Sequence, residues 1–125
     1  MPSRRRVRSV TPPTRVDEPG YPRPQLERDQ WISLNGRWQF YLDRDGRRQN
    51  PAEVQFTDSI VVPFSPETPA SGIGNTDLFK SCWYRRTVDV PAFSGDEHVL
   101  LHFGAVDYRA TVWVNDYLAR RHDGG

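Results

Sequence analysis

The 125-residue chain has one cysteine, one methionine and one lysine, and no long uninterrupted apolar run. The lone thiol, Cys82, excludes an internal disulfide and fits a reducing compartment. No segment has the length of a signal h-region or a bilayer-spanning helix, so a cytoplasmic location without membrane contact is expected. The three histidines, His98, His102 and His122, lack close metal-ligand spacing with one another or with Cys82. Walker, dinucleotide and nucleophile-elbow motifs are absent too, so no metal and no cofactor is expected. Lysine is replaced almost wholly by arginine, which is more readily explained by a GC-rich genome than by a task of the protein.

A net charge of +1 makes no case for nucleic acid as a partner. The basicity is local: Arg4, Arg5, Arg6, Arg8 and Arg15 all precede the first acid, Asp17. This arm has neither interleaved aromatics nor a helical face, and residues 1–20 read as a solvated, disordered tail. The following "YPRPQLERDQW" is held extended by Pro22 and Pro24.

Eleven prolines and nine glycines break the chain into short pieces, and several of these alternate. After Asn35-Gly36, the residues Trp38, Phe40 and Leu42 interleave with Arg37, Gln39 and Tyr41, the period of a half-buried strand that Asp45-Gly46 closes. "SIVVPF" at 59–64 is a β-branched run ended by proline. "CWYRRTVDVP" at 82–91, "HVLLHFGAV" at 98–106 and "YRATVWVN" at 108–115 alternate again, with Val99, Leu101 and Phe103 sharing one face of the second. Asn115-Asp116 makes a turn into "YLARRH". Five or six short strands and no amphipathic helix predict an all-β sandwich. Between strands, residues 64–80 form a loop long enough to suggest function. Trp38, Trp83 and Trp113 at strand spacing read as core, and Cys82 as a packing thiol. One of Arg85 and Arg86 is expected to face inward toward a carboxylate such as Asp107.

No acid/base pair of carboxylates stands out, so the residues alone predict a binding or accessory domain. However, "RPQLERDQWISLNGRWQFYLD", "VVPFSPETPASGIG", "CWYRRTVDVP", "LHFGAVDYRATVWVND" and "HDGG", in that order, resemble the N-terminal sugar-binding domain of glycoside hydrolase family 2, the β-galactosidase, β-glucuronidase and β-mannosidase group. The resemblance spans residues 21–125. It implies a jelly-roll sandwich similar to galactose-binding domains, followed in relatives by an immunoglobulin-like domain and a catalytic barrel. Both catalytic glutamates belong to that barrel, so no residue here is expected to be catalytic. The resemblance places the His-acid-Gly-Gly loop near the sugar, giving Asp123 a substrate hydroxyl to contact, with Asn75 in the 64–76 loop as a second contact. The bland alternatives are a turn residue at 123 and an ordinary loop asparagine at 75.

The expectation is therefore the C-terminally truncated sugar-binding domain of an enzyme that acts on β-glycosides, inactive by itself. The alternative is a freestanding carbohydrate-binding module.

Overall fold

The computed structural model describes residues 29–124. The basic arm and most of the proline-rich segment after it lie outside them. The chain divides into two units, Met1–Trp31 and Ile32–Gly125, and every element named below belongs to the second. Among the described residues five strands appear in order: β1 (Gly36–Asp43), β2 (Asp58–Val62), β3 (Ser81–Arg85), β4 (Arg109–Val114) and β5 (Tyr117–Asp123). They form two antiparallel sheets, β2-β1-β3 and β4-β5, and among the described residues the only helical pieces are two single 3-10 turns. The expected all-β class is what the described residues adopt.

The three-stranded sheet follows its alternation. Trp38 stands opposite Ile60, Phe40 opposite Tyr84 and Leu42 opposite Cys82, so the apolar side chains of three strands share one face. Phe40 and Ile60 are fully buried there, and Val54 nearly so. Burying a side chain of this size contributes about 2–3 kcal/mol. The Tyr84 ring meets Phe40 edge-on, with centroids 5.1 Å apart. Trp38 lines up with this face and donates its indole N–H to the Leu34 carbonyl at 2.7 Å.

The end of β1 is pinned by a buried charge. Asp43 is fully buried, and its carboxylate accepts from the Arg48 amide at 2.9 Å and from Arg48 Nη1 at 3.2 Å. Arg48 also lies 4.9 Å over the Tyr41 ring. The Asp45-Gly46 turn closes with Gly46 N–H bonded to the Asp43 carbonyl, Gly46 taking φ +65°.

β4 and β5 form a hairpin whose two-residue loop, Asn115-Asp116, has φ of +48° and +67°. Two consecutive left-handed residues are the type I′ geometry that matches strand twist, and Asn and Asp tolerate it better than most. The register slips by one residue between Val112 and Trp113, leaving Ala119 as the extra residue on β5. Every residue of β5 is exposed.

Two expectations fail. β3 stops at Arg85, and residues 86–108 contain no strand. Val99, Leu101 and Phe103 alternate as anticipated but are 55%, 48% and 51% exposed. Alternation supplies one face of a strand; the ladder of hydrogen bonds needs a neighbour, and no described strand pairs with 86–108. Nor do Arg85 and Arg86 reach Asp107. Arg85 donates to Gln39 Oε1 at 2.7 Å and stacks over Phe56, while Arg86 donates to the Leu34 and Asn35 carbonyls. Neutral acceptors adjacent to these guanidinium groups capture them instead.

Candidate functional site

The loop after β2 builds a cavity against the sheet. Phe64 N–H bonds back to Val61, and Thr68 N–H to the Ser65 carbonyl, winding the chain into the 3-10 turn Pro69–Ser71. Pro69 at the first helical position needs no amide partner there. The turn ends at Gly72 with φ +82°, a conformation a side chain would strain. Buried Ser71 then ties the turn together: its hydroxyl donates to the Thr68 carbonyl at 2.8 Å and accepts from the Ile73 amide at 3.0 Å.

Asn75 follows, half-buried, its amide bonded to the Pro66 carbonyl at 2.9 Å. Its Oδ1 accepts from the Asp77 amide at 2.8 Å, an Asx turn that occupies the acceptor end of the side chain. The side chain borders a cavity of about 370 Å³ together with Tyr41, Arg44, Thr57, Asp58 and Ile73. Arg44 is bridged to Asp77 at 2.9 Å, which braces the same rim. The volume suits a monosaccharide-sized ligand, and the lining mixes hydroxyl, amide and charged groups with the aromatic residues Phe40 and Tyr41.

Asp123 stands elsewhere, at the end of the hairpin opposite Arg109. Arg109 Nε donates to Asp123 Oδ1 at 2.6 Å, and the aspartate side chain stays 57% exposed. Its second oxygen is in no hydrogen bond or ion pair among the described residues. Gly124 donates its amide to the Tyr108 carbonyl at 2.7 Å with φ +133°, so the chain leaves β5 in a conformation that favours glycine. A Cβ on Gly124 would sit 3.5 Å from the His122 ring. The carboxylate is thus oriented by one arginine, with an acceptor left over for a hydroxyl. No described contact brings Asn75 and Asp123 together.

Beyond the anticipated residues, the structure adds Arg109 as the partner that aims Asp123, and Arg44, Thr57 and Asp58 as neighbours of Asn75. Arg109 was findable in principle, since a two-residue turn at 115–116 sets the hairpin register to within one position. Cys82 is a packing thiol: burial raises its pKa, Tyr84 opposes the shift with a hydrogen bond, and the charge of Glu67 adds to it. Trp83 and Trp113 bury their indole N–H groups without a partner among the described residues, which suits packing better than sugar stacking. Among the described residues no cluster of three or more His, Cys, Asp or Glu is arranged to hold a metal ion. No described helix is long and apolar enough to cross a membrane.

No family model matches the chain. It is 32% identical over 93 residues to a beta-glucuronidase of Streptococcus agalactiae, covering 74% of this chain and 15% of that protein. It is also similar to the beta-glucuronidases of Canis lupus familiaris, 33% over 119 residues, and Felis catus, 29% over 118 residues. Each of those matches covers 84% of this chain and 18% of the relative. The chain thus spans less than a fifth of the length of these curated relatives, and over most of its own length it is related in sequence to a segment of beta-glucuronidases.

Proposed function

We propose that residues 21–125 are the N-terminal sugar-binding domain of a family 2 glycoside hydrolase, with a jelly-roll plan of which the five strands are part. In this reading the parent enzyme hydrolyses β-linked glycosides with two carboxylates carried by a separate barrel, and the present segment contributes loops to the sugar site. Hydrolysis of this kind needs two carboxyl groups about 5–9 Å apart. The carboxylates nearest to such a role, Asp58 and Asp123, belong to different sheets, and Asp123 is already engaged by Arg109. Catalysis is therefore assigned to other domains.

The observation that carries the proposal is the similarity to three beta-glucuronidases across most of the chain, together with five family-like blocks in the expected order. Asp123 is assigned to a substrate hydroxyl through its uncommitted oxygen, and Asn75 to a second contact from the cavity rim. The freestanding binding module is the competing reading, favoured by the formed cavity beside Asn75. Two measurements separate them. The purified chain, assayed on chromogenic β-glucuronide and β-galactoside, is expected to release no chromophore; turnover surviving repurification would sink the accessory-domain reading. Titration with the corresponding sugars is expected to give at most weak shifts, whereas tight saturable binding by the chain alone would favour the module.

A further inference from the structure

A second cleft, of about 410 Å³, opens at the other end of the three-stranded sheet and is lined by Arg37, Gln39, Ser59, Arg85, Arg86 and Thr87, with Trp38 at its wall. Its charged lining is Arg37, Arg85 and Arg86, and no acidic side chain lines it. Arg44, Arg47, Arg48 and Arg109 each find a carboxylate within 3.7 Å, whereas the three cleft arginines, like Arg120 and Arg121, are in no ion pair among the described residues. In the cleft the tethers are neutral. Arg37 Nη1 donates to Ser59 Oγ at 3.0 Å, Arg85 Nε to Gln39 Oε1 at 2.7 Å, and Arg86 Nη1 to the carbonyls of Leu34 and Asn35 at 2.7 and 3.0 Å. Arg85 is further held 4.2 Å over the Phe56 ring and Arg86 5.9 Å over Trp38.

Each fork is therefore oriented through one nitrogen, and none of the three is in an ion pair among the described residues. Pre-orientation lowers the entropy cost of binding, and arginine forks match the oxygens of phosphate in paired hydrogen bonds. Arg37 and Arg85, tied to the neighbouring Ser59 and Gln39, are complemented better by a doubly charged oxyanion than by a single carboxylate. The cleft also exceeds the size of an inorganic anion, and Gln39, Ser59 and Thr87 offer amide and hydroxyl groups to a polar remainder. We propose that this cleft is a binding site for a phosphate monoester of monosaccharide size, separate from the cavity beside Asn75 and independent of the glycosidase reading.

The full chain, titrated by NMR or calorimetry with glucose 6-phosphate, is expected to bind saturably, with glucose inert and inorganic phosphate competing. Arg85→Gln should weaken binding by at least about tenfold, the loss of one charge-assisted contact, and Arg85→Lys by less. Arg121→Gln, on the hairpin away from the cleft, should leave it unchanged. Binding by the unaltered chain should also weaken between about pH 7.5 and about pH 5.5 as the phosphate takes up its second proton. The cleft lining carries no carboxylate and no histidine, so this readout belongs to the ligand and does not depend on any variant folding. Glucose binding as well as its phosphate, equal losses in the Arg85 and Arg121 variants, or affinity indifferent to pH would each overturn the assignment.

Discussion

Arg109 Nε reaches Asp123 Oδ1 at 2.6 Å because of the extra residue Ala119. From Val114 opposite Tyr117, an unbulged two-residue hairpin would set Arg109 opposite His122. The slip between Val112 and Trp113 moves every later pair by one, so that Arg109 faces Asp123 and Ala110 faces His122. A one-residue change in register inverts which side chains share a face. The bulge therefore decides whether the carboxylate assigned to the sugar is braced by an arginine or not.

Deleting Ala119 should remove the bulge yet leave Arg109 opposite Asp123, because Trp113–Leu118 and Val112–Arg120 then become consecutive pairs. Cross-strand amide contacts in NMR spectra should keep Val112 with Arg120, Ala110 with His122 and Val114 with Tyr117, with only the irregularity between Val112 and Trp113 lost. Contacts that pair Arg109 with His122 in the deletion variant would show that residue 119 is not the extra residue of the hairpin.

Both partners of that pair are largely exposed, at 76% and 57% of their side-chain area. Solvent screening limits such pairs to about 0.2–1 kcal/mol. Arg109→Ala and Asp123→Ala should each cost less than about 1 kcal/mol in urea unfolding, and their double-mutant cycle should give a coupling in the same small range. The coupling should fall further in added salt. Coupling well above this range would mean that the pair is shielded from water, contrary to its exposure.

These cases mark how far the sequence alone could be read. The alternation at Trp38, Phe40 and Leu42 locates β1 and its buried face, and the Asn115-Asp116 turn locates the hairpin, because period and turn chemistry are local properties. Position 119 carries no such signal: alanine fits a strand as well as a bulge, so the partner of Asp123 stayed one residue out of reach. The same limit explains 86–108, where Val99, Leu101 and Phe103 alternate correctly without a neighbouring strand to complete the ladder. Asn75 was legible as a polar loop residue, but its Asx turn onto Asp77 and its place at a cavity rim depend on Ser71 and Gly72 folding the loop back first. Arg85 and Arg86 were misread because charge complementarity suggested a carboxylate, whereas Gln39 and the Leu34 and Asn35 carbonyls lay closer.

Asp43 should dominate the acid limb of stability. Burial works to raise its pKa, but hydrogen bonds from the Arg48 and Arg47 amides and from the Arg48 guanidinium outweigh it and hold it below its ordinary 3.8. A carboxylate with a depressed folded pKa contributes stability that is present above 3.8 and lost as pH falls through the folded value. Asp43→Asn should flatten that loss, and Asp43→Ala should cost roughly 2–3 kcal/mol at neutral pH, because the Arg48 amide loses its buried acceptor. Chemical unfolding between about pH 2 and about pH 7 would measure both. Identical acid limbs in Asp43→Asn and the unaltered chain would reassign the effect to other carboxylates.

The alkaline limb should belong to Cys82 and Tyr84, which share the core face of β3. Burial raises both pKa values, and for the tyrosine the neighbouring thiol adds to the shift. Groups kept neutral in this way contribute stability that is full below their ordinary values of 9.0 and 10.0 and lost as pH rises through the folded values. Tyr84→Phe should therefore shrink the loss of stability above about pH 9 while leaving the edge-on ring contact with Phe40 in place. Thiol alkylation supplies an independent reading at the same site. Only the thiolate reacts, so Cys82 in the folded chain should be modified by iodoacetamide at least about tenfold more slowly than in urea at the same pH. A folded-state rate equal to the denatured one would mean that the thiol is solvent-reached and ionised normally, and both the packing role of Cys82 and the alkaline assignment would fail together.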